Sequence, residues 1–244
     1  MRLAQPLAVF AMFFLVHGLV GCAHYSIPST RLETPEVLGP GKFGRFEALG
    51  YTGSLDLTAD AFKMPREATD TGPDTYALTD NMLHFFSGFT VGITDRFDLT
   101  GRYYTSAPLT LRGKYQLSGK SESETEPGEF STALSGGFGL LLAPESTVFY
   151  LTDLAFLAGY RPWKRHLVWL SPHLALAGLS GVFETDGSAT QLGAGLGYQY
   201  TTESLFFRFE STVLTGSYSA AQGTPDGKAD IAGFFFGALV GFLI

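Results

Sequence analysis

The sequence has little charge, a single cysteine and no long internal apolar run. Charged residues make up 16% of the 244 residues, against about 25% in an average soluble domain, which disfavours a soluble enzyme with a charged surface. One cysteine cannot form an intramolecular disulfide. No internal stretch reaches the roughly 18–20 apolar residues that a membrane-spanning helix needs, and a formal charge of −7 disfavours a nucleic-acid partner.

The residues that are abundant are apolar, aromatic or small. Hydrophobic residues account for 45% of the chain, aromatic residues for 14% with 22 phenylalanines, and glycine for 30 positions. A chain with this much apolar surface is not disordered. The composition therefore indicates an all-β protein that is rich in glycine and aromatic residues.

The N-terminus has the pattern of an export signal. Met1-Arg2 supplies a positive start, and residues 7–20 form an apolar run that is too short to span a membrane comfortably. Leu19-Val20-Gly21-Cys22 follows this run and resembles the bacterial lipobox. The resemblance implies a lipid-modified Cys22 after cleavage, and sorting to the outer membrane because Ala23 rather than aspartate comes next. An ordinary signal peptide with a chance cysteine is the alternative.

Three regions follow from this pattern. Residues 1–21 are predicted to be a signal peptide, and residues 22–40 a tether between the lipid and the folded part. Prolines interrupt the tether, which shows no sustained alternation of apolar and polar residues. Residues 41–244 are predicted to form the folded domain.

From residue 41 onward, apolar residues alternate with polar or small ones in stretches of about ten, the period-two pattern of β-strands. In the last stretch, for example, Phe234 and Phe236 share one face while Gly233 and Gly237 share the other. The pattern predicts ten strands, with eight or twelve as alternatives. The ten are residues 42–58, 81–93, 97–106, 108–118, 130–143, 146–160, 166–180, 190–200, 205–218 and 231–244.

Alternation alone fits either a soluble sandwich, with its apolar faces inward, or a membrane barrel, with its apolar faces outward. The lengths of the predicted turns favour the barrel, because they fall into two classes on opposite sides. The short ones are residues 94–96, 161–165 and 201–204. The longer ones are residues 59–80, 181–189 and 219–230. Residues 119–129 do not fit this division cleanly, since they would form a long acidic connection on the side of the short turns.

One hairpin connects this pattern with a known family. The segment Gly92-Ile93-Thr94-Asp95-Arg96-Phe97-Asp98-Leu99 is similar to a hairpin that is common in small bacterial outer-membrane β-barrels. The resemblance implies an antiparallel, up-and-down transmembrane β-barrel with its short turns and both chain ends on the periplasmic side. The lipid anchor at Cys22 is then also expected on the periplasmic side.

Charged residues of both signs fall on faces that are predicted to point inward. Unpaired charge is costly in a low-dielectric lumen, so these groups are expected to pair. A barrel of about ten strands is only slightly wider than one that side chains fill completely, so the lumen would be closed or narrow, unlike that of a general porin. The predicted network consists of Arg45, Glu47, Asp98, Arg102, Arg112, Lys114, Arg208 and Glu210.

The sequence offers little catalytic chemistry. It contains no HExxH, GxSxG, phosphate-binding glycine loop or cysteine cluster, so we predict no catalytic residue, cofactor or metal site. Ser171 and His173 lie two residues apart on one strand face, which suits a serine hydrolase, but their inward position favours a packing role. His84, near Asp80 at the outer end of a strand, could form a dyad with a loop carboxylate.

The sequence thus predicts a lipid-anchored, non-enzymatic outer-membrane barrel that serves as an envelope component or a narrow channel. Expected partners are membrane lipid, lipopolysaccharide, and the machineries that insert barrels and sort lipoproteins, while the oligomeric state is open. One alternative is an outer-membrane hydrolase of lipid or peptide with a dyad at the rim. The other is a lipocalin-like periplasmic binder held by Cys22, which requires phenylalanine-rich faces that point inward.

Overall fold

A closed barrel of ten antiparallel β-strands makes up the structure. The computed structural model describes residues 30–53, 81–104, 109–142, 148–180, 187–220 and 228–243. Each strand pairs with its neighbours in the chain, and β1 pairs with β10 to close the barrel. The strands are β1 Phe43–Gly53, β2 Asn81–Thr94, β3 Phe97–Tyr104, β4 Leu109–Ser118, β5 Phe130–Leu142, β6 Val148–Trp163, β7 His166–Ser180, β8 Gly187–Thr201, β9 Leu205–Ala220 and β10 Lys228–Leu243. Within the described ranges, no helix is long and apolar enough to cross a membrane.

The predicted fold class and the count of ten strands are confirmed, and the alternatives of eight and twelve strands are wrong. The predicted end of β1 at residue 58 lies outside the described residues, and every other strand limit lies within three residues of the predicted one. The agreement has a local cause. Successive side chains of a strand point to opposite faces, so the alternation in the sequence persists for the length of each strand and breaks at its turns.

The two ends of the barrel differ in their connections. Phe43 of β1 and Leu243 of β10 lie at one end, which we call the turn end, and the opposite end is the loop end. The connections at the turn end are residues 95–96, 119–129, 164–165 and 202–204. The long acidic connection at 119–129 therefore does lie on the side of the short turns.

The outer face of the barrel is apolar and the inner face is largely polar. On the outside, Leu196 is 65% exposed and Phe234 is 64% exposed. On the inside, Asp98, Gln199 and Thr212 are fully buried. A soluble protein has the reverse distribution, whereas a barrel in lipid has this one.

The first strand departs from the predicted orientation. Arg45 and Glu47 were expected in the lumen, but their side chains point outward, are 59% and 52% exposed, and pair with each other at 3.1 Å. Phe46 and Ala48 point inward instead and are buried. The prediction is wrong for these two charges because the lumen beside β1 is apolar: Phe46 packs there against Leu32 of the N-terminal chain.

Candidate functional site: the filled lumen

An N-terminal stretch of the chain occupies the lumen. Residues 30–38, which we call the luminal segment, have no regular secondary structure, and every one of them is buried. The chain runs toward the turn end and there reverses into β1 through Gly39 and Gly41, whose φ angles are 90° and 74°. The prediction of a tether is therefore wrong for residues 30–38, because the barrel wall binds their polar backbone.

Three wall residues bind the backbone of the luminal segment at Arg31 and Leu32. Glu210 accepts hydrogen bonds from the amides of Arg31, at 2.7 Å, and Leu32, at 2.9 Å. Arg102 donates to the carbonyl of Arg31 at 2.5 Å, and Arg208 donates to the carbonyl of Leu32 at 3.3 Å. These side chains replace the partners that a sheet would supply, which is what a buried backbone requires.

A second set of wall residues binds the segment closer to the turn end. Lys114 donates to the carbonyls of Thr34, at 3.1 Å, and Glu36, at 2.5 Å. Asp98 accepts from the amide of Leu38 at 3.1 Å and pairs with Lys114 at 3.3 Å. An acidic and a basic wall residue thus share the task of satisfying an extended backbone.

Two arginines and two carboxylates form a buried network around Glu33. Arg112 binds Asp153 through two hydrogen bonds of 2.6 and 2.8 Å. Arg31 contacts Asp153 at 3.0 Å, and both arginines contact Glu33 at 3.3 Å. Ser135 donates to Glu33 at 2.8 Å. The four charges balance, so none is left without a counterion in this buried site.

Glu36 forms the other ion pair between the segment and the wall. Nε of Arg161 donates to Glu36 Oε1 at 3.1 Å, and a second guanidinium nitrogen donates to Oε2. The exposed fractions of the two side chains are 2% for Arg161 and 1% for Glu36. A two-pronged arginine–carboxylate contact fixes both distance and orientation, so this pair anchors the segment close to the turn end.

Leu32 gives the segment an apolar contact with the wall. Its φ angle of 50° is unusual for a residue other than glycine, and such a conformation costs of the order of 1–3 kcal/mol. Burial of the side chain and the hydrogen bond from its amide to Glu210 offset this strain. The buried cluster around it consists of Phe46, Ala48, Phe86, Tyr104, Phe206 and Leu239.

Residues 119–129, the cap segment, contact the luminal segment at the turn end. The amide of Glu122 donates to the carbonyl of Val37 at 2.7 Å, and the amide of Val37 donates to Gln116 at 3.1 Å. The carboxylate of Glu122 accepts a hydrogen bond from Gln199 on the far wall at 2.5 Å. The acidic connection therefore covers this end of the lumen instead of extending into solvent.

The cap segment is closed on itself and tied to β6. Lys120 pairs with Glu129 at 2.6 Å, and this hydrogen bond lowers the pKa of the Glu129 carboxyl. The amide of Arg161 donates to the carbonyl of Glu129 at 3.1 Å, and the amide of Gly128 donates to the carbonyl of Arg161 at 2.8 Å. Arg161 thereby joins the cap, the wall and the luminal segment.

Glycines make room for the segment at three points of the wall. A Cβ at Gly237 would lie 2.6 Å from Thr30, and one at Gly159 would lie 2.6 Å from Pro35. A Cβ at Gly92 would overlap the carbonyl oxygen of Gly39. The wall therefore carries glycine where the segment approaches most closely.

Little free space is left beside the segment. A cavity of about 20 Å³ lies between Glu33, Asp98, Arg102 and Lys114, and one of about 10 Å³ lies near Arg31. A space of this size accommodates about one water molecule. Wall and segment together fill the lumen at this level.

The predicted network and the observed one overlap only in part. Six of the eight predicted charges lie buried in the lumen: Asp98, Arg102, Arg112, Lys114, Arg208 and Glu210. Sequence reasoning missed Asp153, although it shares the inward phase of β6, and Arg161, which was assigned to a turn. It also missed Glu33 and Glu36, because no pattern marks them as luminal. Cys22 lies outside the described residues.

Ser171 and His173 do point inward, but they do not form a catalytic pair. The hydroxyl of Ser171 donates to the carbonyl of Gly195 at 3.3 Å. Nδ1 of His173 contacts the carbonyl oxygen of Ser171 at 2.9 Å, and its Nε2 has no hydrogen-bond partner in the described structure. A hydrolytic dyad requires the hydroxyl to bind the imidazole, and that bond is missing here. The side chain of His84 and the acidic residues of 54–80 lie outside the described part.

Comparison with known proteins gives a match to a solved structure and no family. No family model matches the chain, and no curated protein sequence is similar to it. Among solved structures, the chain is similar to the outer membrane protein OprG from Pseudomonas aeruginosa, with 12% sequence identity and a TM-score of 0.36. The match covers 87% of this chain and 99% of OprG.

Proposed function

We propose that the chain is a non-enzymatic outer-membrane β-barrel whose lumen is closed by its own luminal segment. It serves as an envelope component or as a narrow channel in its shut state. One observation carries the proposal: the barrel is apolar outside, while its charged interior is occupied by residues 30–38.

The outer surface supports insertion into a bilayer. Apolar side chains are exposed along the strands, and transfer of such surface from water to lipid is favourable. Aromatic residues gather at the turn end, where Phe130 is 70% exposed, Trp163 is 65% exposed and His166 contacts Tyr198 at 2.6 Å. Aromatic side chains are enriched at this level of membrane barrels because the interface has an apolar and a wet side.

The filled lumen supports a shut state. Hydrogen bonds and ion pairs connect the segment to several strands of the wall, and the cap segment covers the turn end. The cavities described beside these groups, of about 20 and 10 Å³, are too small for a hydrated ion. Ions can therefore pass only if the segment moves or leaves.

Gel mobility and conductance test this proposal together. The barrel, extracted in detergent from isolated outer membranes, is expected to migrate differently on SDS gels before and after boiling, because a closed barrel resists SDS until it is heated. The same protein in planar bilayers is expected to show almost no conductance. Absence of the protein from the outer-membrane fraction, or large open channels in the unmodified protein, would contradict the proposal.

We further propose that Cys22 carries lipid, on the strength of its position after the apolar N-terminal run. Cells grown with an alkyne-tagged fatty acid are expected to label the protein, and the variant Cys22→Ser is expected to lose the label. Because the barrel itself is proposed to span the membrane, Cys22→Ser is expected to stay membrane-bound. That the anchor lies on the periplasmic side, and that lipopolysaccharide and the insertion and sorting machineries are partners, stay predictions.

A serine hydrolase built on Ser171 and His173, which is distinct from the hydrolase with a dyad at the rim, makes a different prediction from ours. In our proposal this serine is a packed luminal residue, so a fluorophosphonate probe is expected not to label the protein. Ser171→Ala is expected to lower stability by about 1 kcal/mol, the contribution of one neutral hydrogen bond. Labelling that disappears in Ser171→Ala would favour the hydrolase.

The lipocalin-like alternative lacks its required feature, because the phenylalanine-rich faces point outward.

A further inference from the structure

Three arginines of the wall each donate a hydrogen bond to an oxygen of the luminal segment. Arg161 binds the carboxylate of Glu36. Arg102 donates to the carbonyl of Arg31, and Arg208 donates to the carbonyl of Leu32 and to Gln199. In the described structure, none of these three arginines forms an ion pair with a carboxylate of the wall.

The other wall cations pair with carboxylates of the wall itself. Arg112 is bound by Asp153 at 2.6 Å, and Lys114 by Asp98 at 3.3 Å. Glu210 is the remaining wall carboxylate, and it accepts from backbone amides, Trp169 and Thr212. The wall described here has five cations, Arg102, Arg112, Lys114, Arg161 and Arg208, against three carboxylates, Asp98, Asp153 and Glu210. Glu122 of the cap segment adds a fourth carboxylate at the turn end, so the described lumen keeps an excess of one positive charge.

The three arginines lie at successive depths from the turn end. Arg161 is two positions from the end of β6, Arg208 three positions from the start of β9, and Arg102 five positions from the start of β3. They face one lumen, so a molecule that passes along it meets them in turn. Rings of arginine and lysine are the usual device of anion pores.

We propose that the lumen is an oxyanion path that the luminal segment occupies as an internal competitor, so that the barrel becomes anion-selective when the segment is displaced. The proposal rests on the proposed function, in which the segment closes a membrane barrel. The ligands are small anions that carry carboxylate or phosphate groups. In the shut state the carboxylate of Glu36 and the carbonyl oxygens of Arg31 and Leu32 take the place of such a ligand.

A larger side chain in place of Gly237 is expected to displace the segment without changing any charge. A Cβ at this position would lie 2.6 Å from Oγ1 of Thr30 and 3.2 Å from Cδ1 of Leu32. The three atoms nearest to this Cβ all belong to the segment, so Gly237→Leu is aimed at the segment. Gly136 offers a matched control on the outer face, since the nearest atom to its Cβ would be 3.5 Å away.

Conductance under a KCl gradient tests the proposal. Gly136→Leu is expected to stay shut like the unmodified protein. Gly237→Leu is expected to open and to pass chloride in preference to potassium about threefold or more, since an excess of fixed positive charge raises the local anion concentration. Adding Arg161→Gln to Gly237→Leu is expected to reduce this ratio. Inorganic phosphate and succinate, tested separately as blockers of the chloride current, distinguish the two ligand groups.

The possible results of this experiment distinguish the oxyanion path from the plugged barrel of the proposed function. An open Gly237→Leu channel that is unselective or prefers potassium would overturn the oxyanion path and leave the plugged barrel intact. If neither phosphate nor succinate blocks the chloride current, the lumen is not a binding site for these groups and the proposal falls. A Gly237→Leu protein that shifts on heating yet conducts nothing would overturn closure by the segment, and with it both proposals.

Discussion

Replacing Arg161 with methionine is expected to lower the free energy of unfolding by about 3–5 kcal/mol, because the Glu36 carboxylate stays buried without its cation. The side chains are 2% and 1% exposed, so water cannot take over the role of the lost partner. The methionine also loses the hydrogen bond of 2.8 Å to the carbonyl of Lys164. Urea titration in detergent micelles measures the loss. Trp169 is a suitable fluorescent reporter, since it is buried and donates to Glu210 beside the segment.

Two further variants assign the effect to the buried pair. Arg161→Met combined with Glu36→Leu removes both charges and is expected to recover most of the lost stability, because an apolar pair often replaces a buried ion pair without loss. Arg45→Met breaks the exposed pair with Glu47 and is expected to change stability by less than about 1 kcal/mol. If Arg161→Met were no more harmful than Arg45→Met, Glu36 would not be bound in the lumen.

Gly92→Ala is expected to lower stability by about 3 kcal/mol, the upper part of the range for overpacking. The new Cβ would overlap the carbonyl oxygen of Gly39, and a backbone atom cannot rotate out of the way as a flexible side chain does. Gly92 also exchanges two backbone hydrogen bonds of 2.9 Å with Gly41 and Lys42. The substitution therefore acts on the reversal that leads the chain from the lumen into β1.

The free energy of unfolding and the accessibility of a buried thiol both test whether Gly92→Ala displaces the chain at this reversal. In a Cys22→Ser background, a thiol introduced as Val37→Cys is expected to resist a polar maleimide, because position 37 is buried. Gly92→Ala is expected to make that thiol reactive. Gly136→Ala is the control, since its Cβ meets nothing closer than 3.5 Å. Unchanged unfolding and unchanged protection in Gly92→Ala would show that the reversal is not packed as described.

The orientation of most strands could be predicted because apolar residues mark the outer face of each alternating pattern and polar or charged residues mark the inner face. In β4, for example, Leu109 and Leu111 are 57% and 56% exposed, whereas Arg112 and Lys114 are buried. The rule that charge points inward failed at Arg45 and Glu47, although the alternation itself persists there. The orientation of β1 is the reverse of the predicted one because Leu32 lies in the lumen, where Phe46 packs against it.

The position of the luminal segment could not be predicted in this way. Residues 30–38 show no alternation, and Pro35, with Pro28 and Pro40 on either side, makes them resemble a linker. Their partners are remote in the chain: the amide of Arg31 binds Glu210, 179 positions away, and Glu36 binds Arg161, 125 positions away. No local pattern records such pairs, and the charges of Glu33 and Glu36 equally suit a solvated tether.

The sequence by itself determined the ten strands, their turns and the apolar outer surface, because side-chain alternation is a property of neighbouring residues. Only the tertiary structure decided what fills the lumen. Closure of the barrel encloses polar groups that must find partners away from water, and the wall arginines find them on the luminal segment. The segment changes the barrel from a charged tube into a plugged one, and its contacts exist only once distant strands have met.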